Sequence, residues 1–453
     1  MSQVIVAQQQ DSTKTEDFFK EDERWFGRKF RKPESDSSKS NVKRFYESTM
    51  SSDWDWDLDL RITSDGLDEH FYIGSSFGVK NPIYSAYPVN EMVRYNRVDG
   101  LFLGYKEDKM DWGYSDFLDI EGIDIHGLIG YSFGRRGWQY SVGAERTFGY
   151  KKRWIIGGEL YDATSTEDYW RTGLWENSIS SVMSGYDFMD YHNMEGYGFY
   201  TILQPLRWLE LSGTYNNNVF QSLALENTYS LFGRRSVVRD NPVIDRQFDR
   251  IEQESVTLGL SLNPRGLTRS SSRVLGMLSV QAELNDLDGV DNTFFYNRYM
   301  TESKIHFQVD RSALLMWRMM GGAITGVAPE FKQFGLGGIG SLRALGFKQL
   351  TGNEMLLSNA ELQFGSYSYP NTDWFDFDDL FLSLFLDSGW TNTNNVLFAS
   401  NSPFDGFSSF ALSDLSHNIG VGIGTGAWRF EVATPLSGES GATAFWFRLN
   451  PSF

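Results

Sequence analysis

Residues 331–365 read FKQFGLGGIGSLRALGFKQLTGNEMLLSNAELQFG. The first half is rich in glycine, has no steady apolar period and carries a single arginine, Arg343. The second half is a strand whose polar residues alternate strictly, with Asn359, Glu361 and Gln363 on one face. Side chains two apart share a face of a strand, so the pattern gives one apolar and one polar surface. A glycine-rich segment of this length between two amphipathic strands is unusual in a soluble domain. The expectation is a loop that folds back into the lumen of a membrane β-barrel.

Composition agrees. The chain has 453 residues, 41% hydrophobic, with a mean hydropathy of −0.38. No run of about 18 apolar residues occurs, which excludes transmembrane helices. Transmembrane strands alternate lipid-facing and lumen-facing residues and leave only a weak hydropathy signal. Aromatic residues make up 16%, with 44 Gly and 11 Pro, as suits aromatic girdles and bends. Cysteine is absent, which excludes a disulfide scaffold, thiolate zinc sites and a cysteine nucleophile. The net charge of −18 argues against nucleic acid as a partner.

The N-terminal segment, residues 1–52, is expected to be a signal remnant followed by a flexible periplasmic stretch, and 53–453 the barrel. Met1–Ala7 resembles the end of a secretory signal. Phe18, Phe19, Trp25, Phe26 and Phe30 sit among charged residues and suit an amphipathic helix, a plug or a sticky tail. The first strand is expected at 54–63 or at 70–79. Fifteen further runs follow, from Arg94–Gly104 to Thr443–Phe453, giving an all-β antiparallel barrel of about sixteen strands, the even number expected of such barrels. Connections alternate between short turns, such as Leu206–Arg207, and long loops, such as Asp162–Gly196 and Val327–Gly352. Within the first of these, Trp175–Tyr191 is either a lid helix or a surface contact.

In Leu380–Ser388, Asp387 shares parity with Ser383 and Phe385, opposite Leu382, Leu384 and Leu386. It therefore points inward, as does Glu361. A guanidinium inside a barrel must be paired, and its planar fork suits a carboxylate. Arg343 is expected to pair with Asp387, with Glu361 as second partner. At the end of the chain, Phe445, Phe447, Leu449 and Phe453 share the apolar face. A terminal amphipathic strand closing in Phe resembles the signal that outer-membrane barrels present to their assembly machinery.

Together these residues resemble the BamA/TamA outer-membrane superfamily, also called the bacterial surface antigen family. FGLGGIGSLRALGF (334–347) is similar to its lumenal-loop signature, with Gly337, Gly338, Ser341, Leu342, Arg343 and Phe347 in the motif positions. GNEMLLSNAELQF (352–364), FLSLFLDSGW (381–390), GVGIGTGAWRFEVATPL (420–436) and AFWFRLNPSF (444–453) resemble the strands that follow. YNRVDGLFLG (95–104) adds a weaker likeness to relatives without periplasmic POTRA modules. Ala344 and Leu345 depart from the family's Gly and aromatic at those places. The resemblance implies a lumenal loop that braces the wall, first and last strands that meet weakly, and a role in assembling or translocating protein or lipid. It also implies contact with outer-membrane lipid and a protein or lipid client. With no POTRA modules recognised, a separate periplasmic partner could bind residues 8–52. A passive or structural pore is the alternative.

Signals for chemistry are weak. GSSFG (74–78) and GYSFG (130–134) match a nucleophile-elbow pattern but stand in alternating strand context rather than at a strand-to-helix turn. The five histidines are scattered without metal-ligand spacing. No catalytic residue, metal or cofactor is expected.

Overall fold

The computed structural model describes residues 92–107, 123–148, 154–206, 208–233, 238–263, 274–287, 289, 291–310, 312–365, 380–392, 402–425, 428–436 and 442–449. Both candidate first strands, the 1–52 segment, GSSFG and Phe453 lie outside them.

Among the described residues sixteen strands form one antiparallel sheet, each paired with the next of the sixteen along the chain. In order these are β1 (Val93–Asn96), β2 (Gly100–Glu107), β3 (Ile123–Ser132), β4 (Gly137–Phe148), β5 (Trp154–Thr166), β6 (Tyr191–Leu206), β7 (Leu209–Ser222) and β8 (Arg250–Leu262). They continue as β9 (Val274–Leu284), β10 (Tyr296–Asp310), β11 (Ala313–Gly326), β14 (Glu354–Gly365), β15 (Phe381–Thr391), β16 (Ser416–Gly424), β17 (Trp428–Pro435) and β18 (Ala444–Leu449). Between β11 and β14 a small hairpin, β12 (Phe334–Leu336) and β13 (Leu350–Gly352), forms a separate two-stranded sheet. One helix, α1 (Leu174–Ser184), lies between β5 and β6.

The two faces of the sheet have opposite chemistry. On β15, Leu382, Leu384 and Leu386 are exposed while Ser383, Phe385 and Asp387 are buried. Exposed Trp138, Trp154, Trp208, Phe199, Trp317, Phe430 and Phe447 stand on the outside. Glu145, Glu302, Lys304, Arg318, Glu361 and Arg429 face in and are buried. An apolar exterior with aromatic residues and a charged interior is the inverse of a soluble sandwich and the arrangement of a transmembrane barrel. Among the described residues no helix is long and apolar enough to cross a membrane.

Arg94–Gly104 is not one strand, as its sequence suggests, but a hairpin. Asn96 Oδ1 accepts from the N–H groups of Val98 and Asp99, and Gly100 takes φ +61°. This Asx turn reverses the chain, and the split gives two of the sixteen strands found among the described residues. Several strands also run further than their alternation indicates. β5 and β6 pair from Trp154↔Leu203 to Thr166↔Tyr191, because backbone pairing continues beyond the apolar belt, where the outward face no longer needs apolar residues.

Among the described residues no ladder joins β1 to β18. The helix α1 nevertheless touches both strands (below), so the sheet curls round until its two ends face each other across a seam.

Candidate functional site: a braced lumen

The segment from β11 to β14 enters the lumen. Gly337, Gly338 and Gly340 adopt φ +119°, +84° and +72°, values that residues with a Cβ rarely take. Ser341 Oγ accepts from Gly337 N–H at 2.9 Å, and the loop amides of Gly338 and Leu345 close further turns. Leu336, Leu342 and Leu345 pack with Tyr296, Met320, Ile324, Phe334, Met355 and Leu357 into the largest apolar cluster of the interior. The loop is thus anchored by burial on one side and presents Arg343 on the other.

Arg343 Nε and Nη2 donate to Asp387 Oδ2 and Oδ1, both at 2.9 Å. Its guanidinium carbon lies 3.4 Å from the centre of the Phe385 ring. Nη1 stands 3.1 Å from Glu431 and 3.6 Å from Glu361. The nearer second carboxylate is therefore Glu431, and Glu361 chiefly receives Arg429 at 2.9 and 3.1 Å. Asp387 sits between Asn359 and Asn418 in the strand register. Asn359 Nδ2 donates to Asp387 Oδ1 at 2.8 Å and to the Ser341 carbonyl at 2.9 Å. Trp446 on β18 donates its indole N–H to the Arg343 carbonyl at 2.9 Å. Buried charges cost several kcal/mol to desolvate unless they are paired and hydrogen-bonded, and here each contributes to a shared cluster.

The two departures from the family pattern are accommodated. Ala344 has no positive φ, and its methyl group packs between Phe385 and Ala433. Leu345 is buried in the apolar cluster. Phe347 carries the guanidinium of Arg239 over its ring at 4.0 Å.

A second set of contacts comes from the loop between β5 and β6, for which the sequence left two readings open. The helical part of the first reading is present, over Leu174–Ser184. Helix α1 and the residues before it turn into the barrel, and Arg171 is fully buried. Arg171 donates to the carbonyls of Gly335 and Gly337 and to Ser341 Oγ, while its Nε pairs with Asp168 at 3.0 Å. Lys348 of the lumenal loop reaches back to Asp168 at 2.7 Å and Asp190 at 2.8 Å. The two loops are one polar assembly.

The YNRVDG turn joins the same assembly. Asp99 is fully buried and is met by Arg94 Nε at 3.0 Å, Gln139 Nε2 at 2.7 Å and Thr164 Oγ1 at 2.7 Å. Arg97 pairs with Asp187 and Asp190 at 3.4 and 2.8 Å. At the other end of the sheet, Phe445 and Phe447 face outward and Arg448 inward. Leu449 ends β18, and Phe447 packs on Phe430 with ring centres 4.6 Å apart.

Sequence reasoning did not single out Arg171, Glu176, Arg429, Glu431 or Arg448. For the last three the signal was present, since each alternates with outward Trp428, Phe430, Val432 or Phe447. For Arg171 and Glu176, in a loop without period, there was none. Of the nucleophile-elbow matches, Ser132 is buried and donates to the Asp99 carbonyl at 2.9 Å, a turn contact rather than an exposed nucleophile. No cluster of three metal-ligating side chains occurs among the described residues.

No family model and no curated protein matches the sequence. Solved structures do. BamA from Haemophilus ducreyi lacking POTRA domains 1–3 aligns at 13% identity with a TM-score of 0.50, covering 79% of this chain and 68% of that one. CdiB from Acinetobacter baumannii and CdiB from Escherichia coli align at 11% and 13% identity, each with a TM-score of 0.41. The chain spans 56% and 59% of those two proteins. At such identities a likeness speaks of fold, and the fold rests on the first of them together with the strand count and inverted polarity above. The chain has the fold of a BamA-type outer-membrane β-barrel.

Proposed function

We propose that this protein is a non-catalytic outer-membrane barrel that assembles or translocates protein or lipid, using the seam between the first and last described strands. The observation that carries the reading is that seam: among the described residues β1 and β18 share no ladder, while every other neighbouring pair in the sheet does. Unpaired strand edges are templates for an incoming strand. The Arg343–Asp387 brace fits the same reading, because it ties the lumenal loop to the wall a few strands from the seam and would keep that part of the wall rigid while the seam moves. Phe445, Phe447, Leu449 and Phe453 would serve as the chain's own signal to the barrel assembly machinery. A separate periplasmic partner on residues 8–52 would deliver the client.

Site-specific photocrosslinking in cells tests it. A photoreactive residue in place of Leu101, Leu103, Phe445 or Phe447 is expected to capture nascent barrel strands or lipid. Empty lanes at all four positions would sink the proposal. A passive pore is the competing outcome: it would show planar-bilayer conductance that rises on deletion of 331–352, with no crosslinked client.

A further inference from the structure

The two ends of the sheet meet the same helix. In the β1–β2 hairpin, Gly104 N–H donates to the Met92 carbonyl, which makes Met92, Arg94 and Asn96 the residues that bond across to β2. Tyr95 lies between them, and antiparallel pairing alternates, so its N–H points off the free edge of β1. That N–H does not face water or β18. It donates to Ser178 Oγ of α1 at 3.1 Å. Two residues before, on the opposite side of the helix, Glu176 faces the other end strand. Arg448 Nε and Nη2 on β18 donate to its two carboxylate oxygens at 2.9 and 3.2 Å, and Thr172 Oγ1 donates to Oε2 at 2.6 Å. Past the helix, Asp187 Oδ2 accepts from Arg97 N–H at 3.0 Å, and Phe188 packs edge-on to Trp446 with ring centres 5.7 Å apart. Both partners of the Glu176–Arg448 pair are buried.

We infer that α1 is an internal latch on the seam. It occupies the edge of β1 that an incoming strand would use and clamps β18 through Glu176. The feature is an autoinhibitory contact, and it rests on the assembly reading above. A free edge donor satisfied by a helix cannot bond a second strand at the same time, so capture of a client requires α1 to leave. Its N-cap, Gly173, has no side chain to cap the helix, and the Tyr95–Ser178 bond is one that a client backbone carbonyl can replace. The occupant that displaces it would be an extended polypeptide, whose N–H and C=O groups bond the β1 edge as Ser178 does.

The cysteine-free chain makes the test direct. Spin labels at Leu103→Cys and Phe445→Cys report the seam distance in lipid nanodiscs. The probe for the edge is a photoreactive peptide copying residues 443–453. Relative to the parent, Glu176→Gln with Ser178→Ala is expected to broaden the label distance toward longer values. It should also raise peptide capture by on the order of tenfold, the effect of removing one charge-assisted hydrogen bond. The exchange Glu176→Arg with Arg448→Glu is expected to narrow the distance again, and it keeps the test alive if the neutral variant fails to fold. Tyr95→Cys with Ser178→Cys, oxidised, should abolish capture and regain it on reduction. An unchanged distance and unchanged capture in a folded Glu176→Gln, Ser178→Ala barrel overturns the latch. A seam that widens while no peptide or client is captured upholds the latch and overturns the assembly reading.

Discussion

Arg343 and Asp387 meet as a two-pronged pair, each carboxylate oxygen 2.9 Å from a different guanidinium nitrogen. Removing one member of a buried pair costs about 3–5 kcal/mol, because the other is left charged and alone. Arg343→Ala and Asp387→Asn are each expected to lower the unfolding free energy of the purified barrel in detergent by an amount of that order, read by denaturant titration. The charge exchange Arg343→Asp with Asp387→Arg should rescue only part of the loss. A carboxylate at position 343 would face Glu431, now 3.1 Å from Arg343 Nη1. Full rescue would show that Glu431 contributes nothing at the site.

Gly340→Ala should be among the most damaging single-methyl additions in the loop. The position has φ +72°, and a Cβ there would run into the carbonyl of Arg171. The left-handed backbone alone costs roughly 1–2 kcal/mol, before the clash. Gly346→Ala is the contrast, since its Cβ would meet only Gln349 Oε1 at 3.5 Å, and its effect should stay within about 0.5 kcal/mol. Equal losses at the two positions would refute the close approach of the two loops. Denaturant unfolding of both variants makes the comparison.

Arg171→Met removes every donor that holds the glycine-rich turn from the side of α1. The carbonyls of Gly335 and Gly337 lose the partner they have in Arg171, and each buried unsatisfied carbonyl costs about 1–3 kcal/mol. Limited proteolysis is expected to nick 331–352 in this variant and to leave the parent intact. Arg171→Lys should be only a partial substitute, because an ammonium cannot reproduce the planar fork.

Acid should loosen the polar assembly of the two loops. Burial pushes the Glu167 carboxyl up, but Lys332 at 2.8 Å and Arg298 at 3.2 Å outweigh it and hold the group at about 2. Asp190 is likewise pulled below its usual range, against the push of burial, by Lys348, Arg239 and Arg97. A carboxylate lowered on folding adds stability that is complete above its unfolded value, 4.5 for Glu167, and is lost as the pH falls toward 2. The thermal midpoint should therefore be flat from neutral pH down to about 5 and decline below that. Glu167→Gln should start lower and decline less steeply. A parent whose midpoint does not move between pH 5 and pH 3 would contradict this.

Much of this protein is written in the chain itself. Period-two alternation determined which residues face lipid and which face the lumen. It placed Asp387 and Glu361 inward and Phe445 and Phe447 outward, because a strand offers each side chain only two directions. The glycines at 337, 338 and 340 determined that 331–352 would turn tightly rather than extend, since they alone take the left-handed backbone without strain. Tertiary structure decided the rest. Which inward carboxylate stands nearest Arg343 depends on strand register and lumen curvature, and these bring Glu431 closer than Glu361. The hairpin at 93–107 depends on an Asx turn that parity cannot see. The placement of α1 is decided wholly by partners distant in sequence: Arg448 lies 272 residues from Glu176. A loop without period carries no local signal of what it will touch, so only the tertiary structure, by bringing the two ends of the described sheet to one helix, reveals the latch.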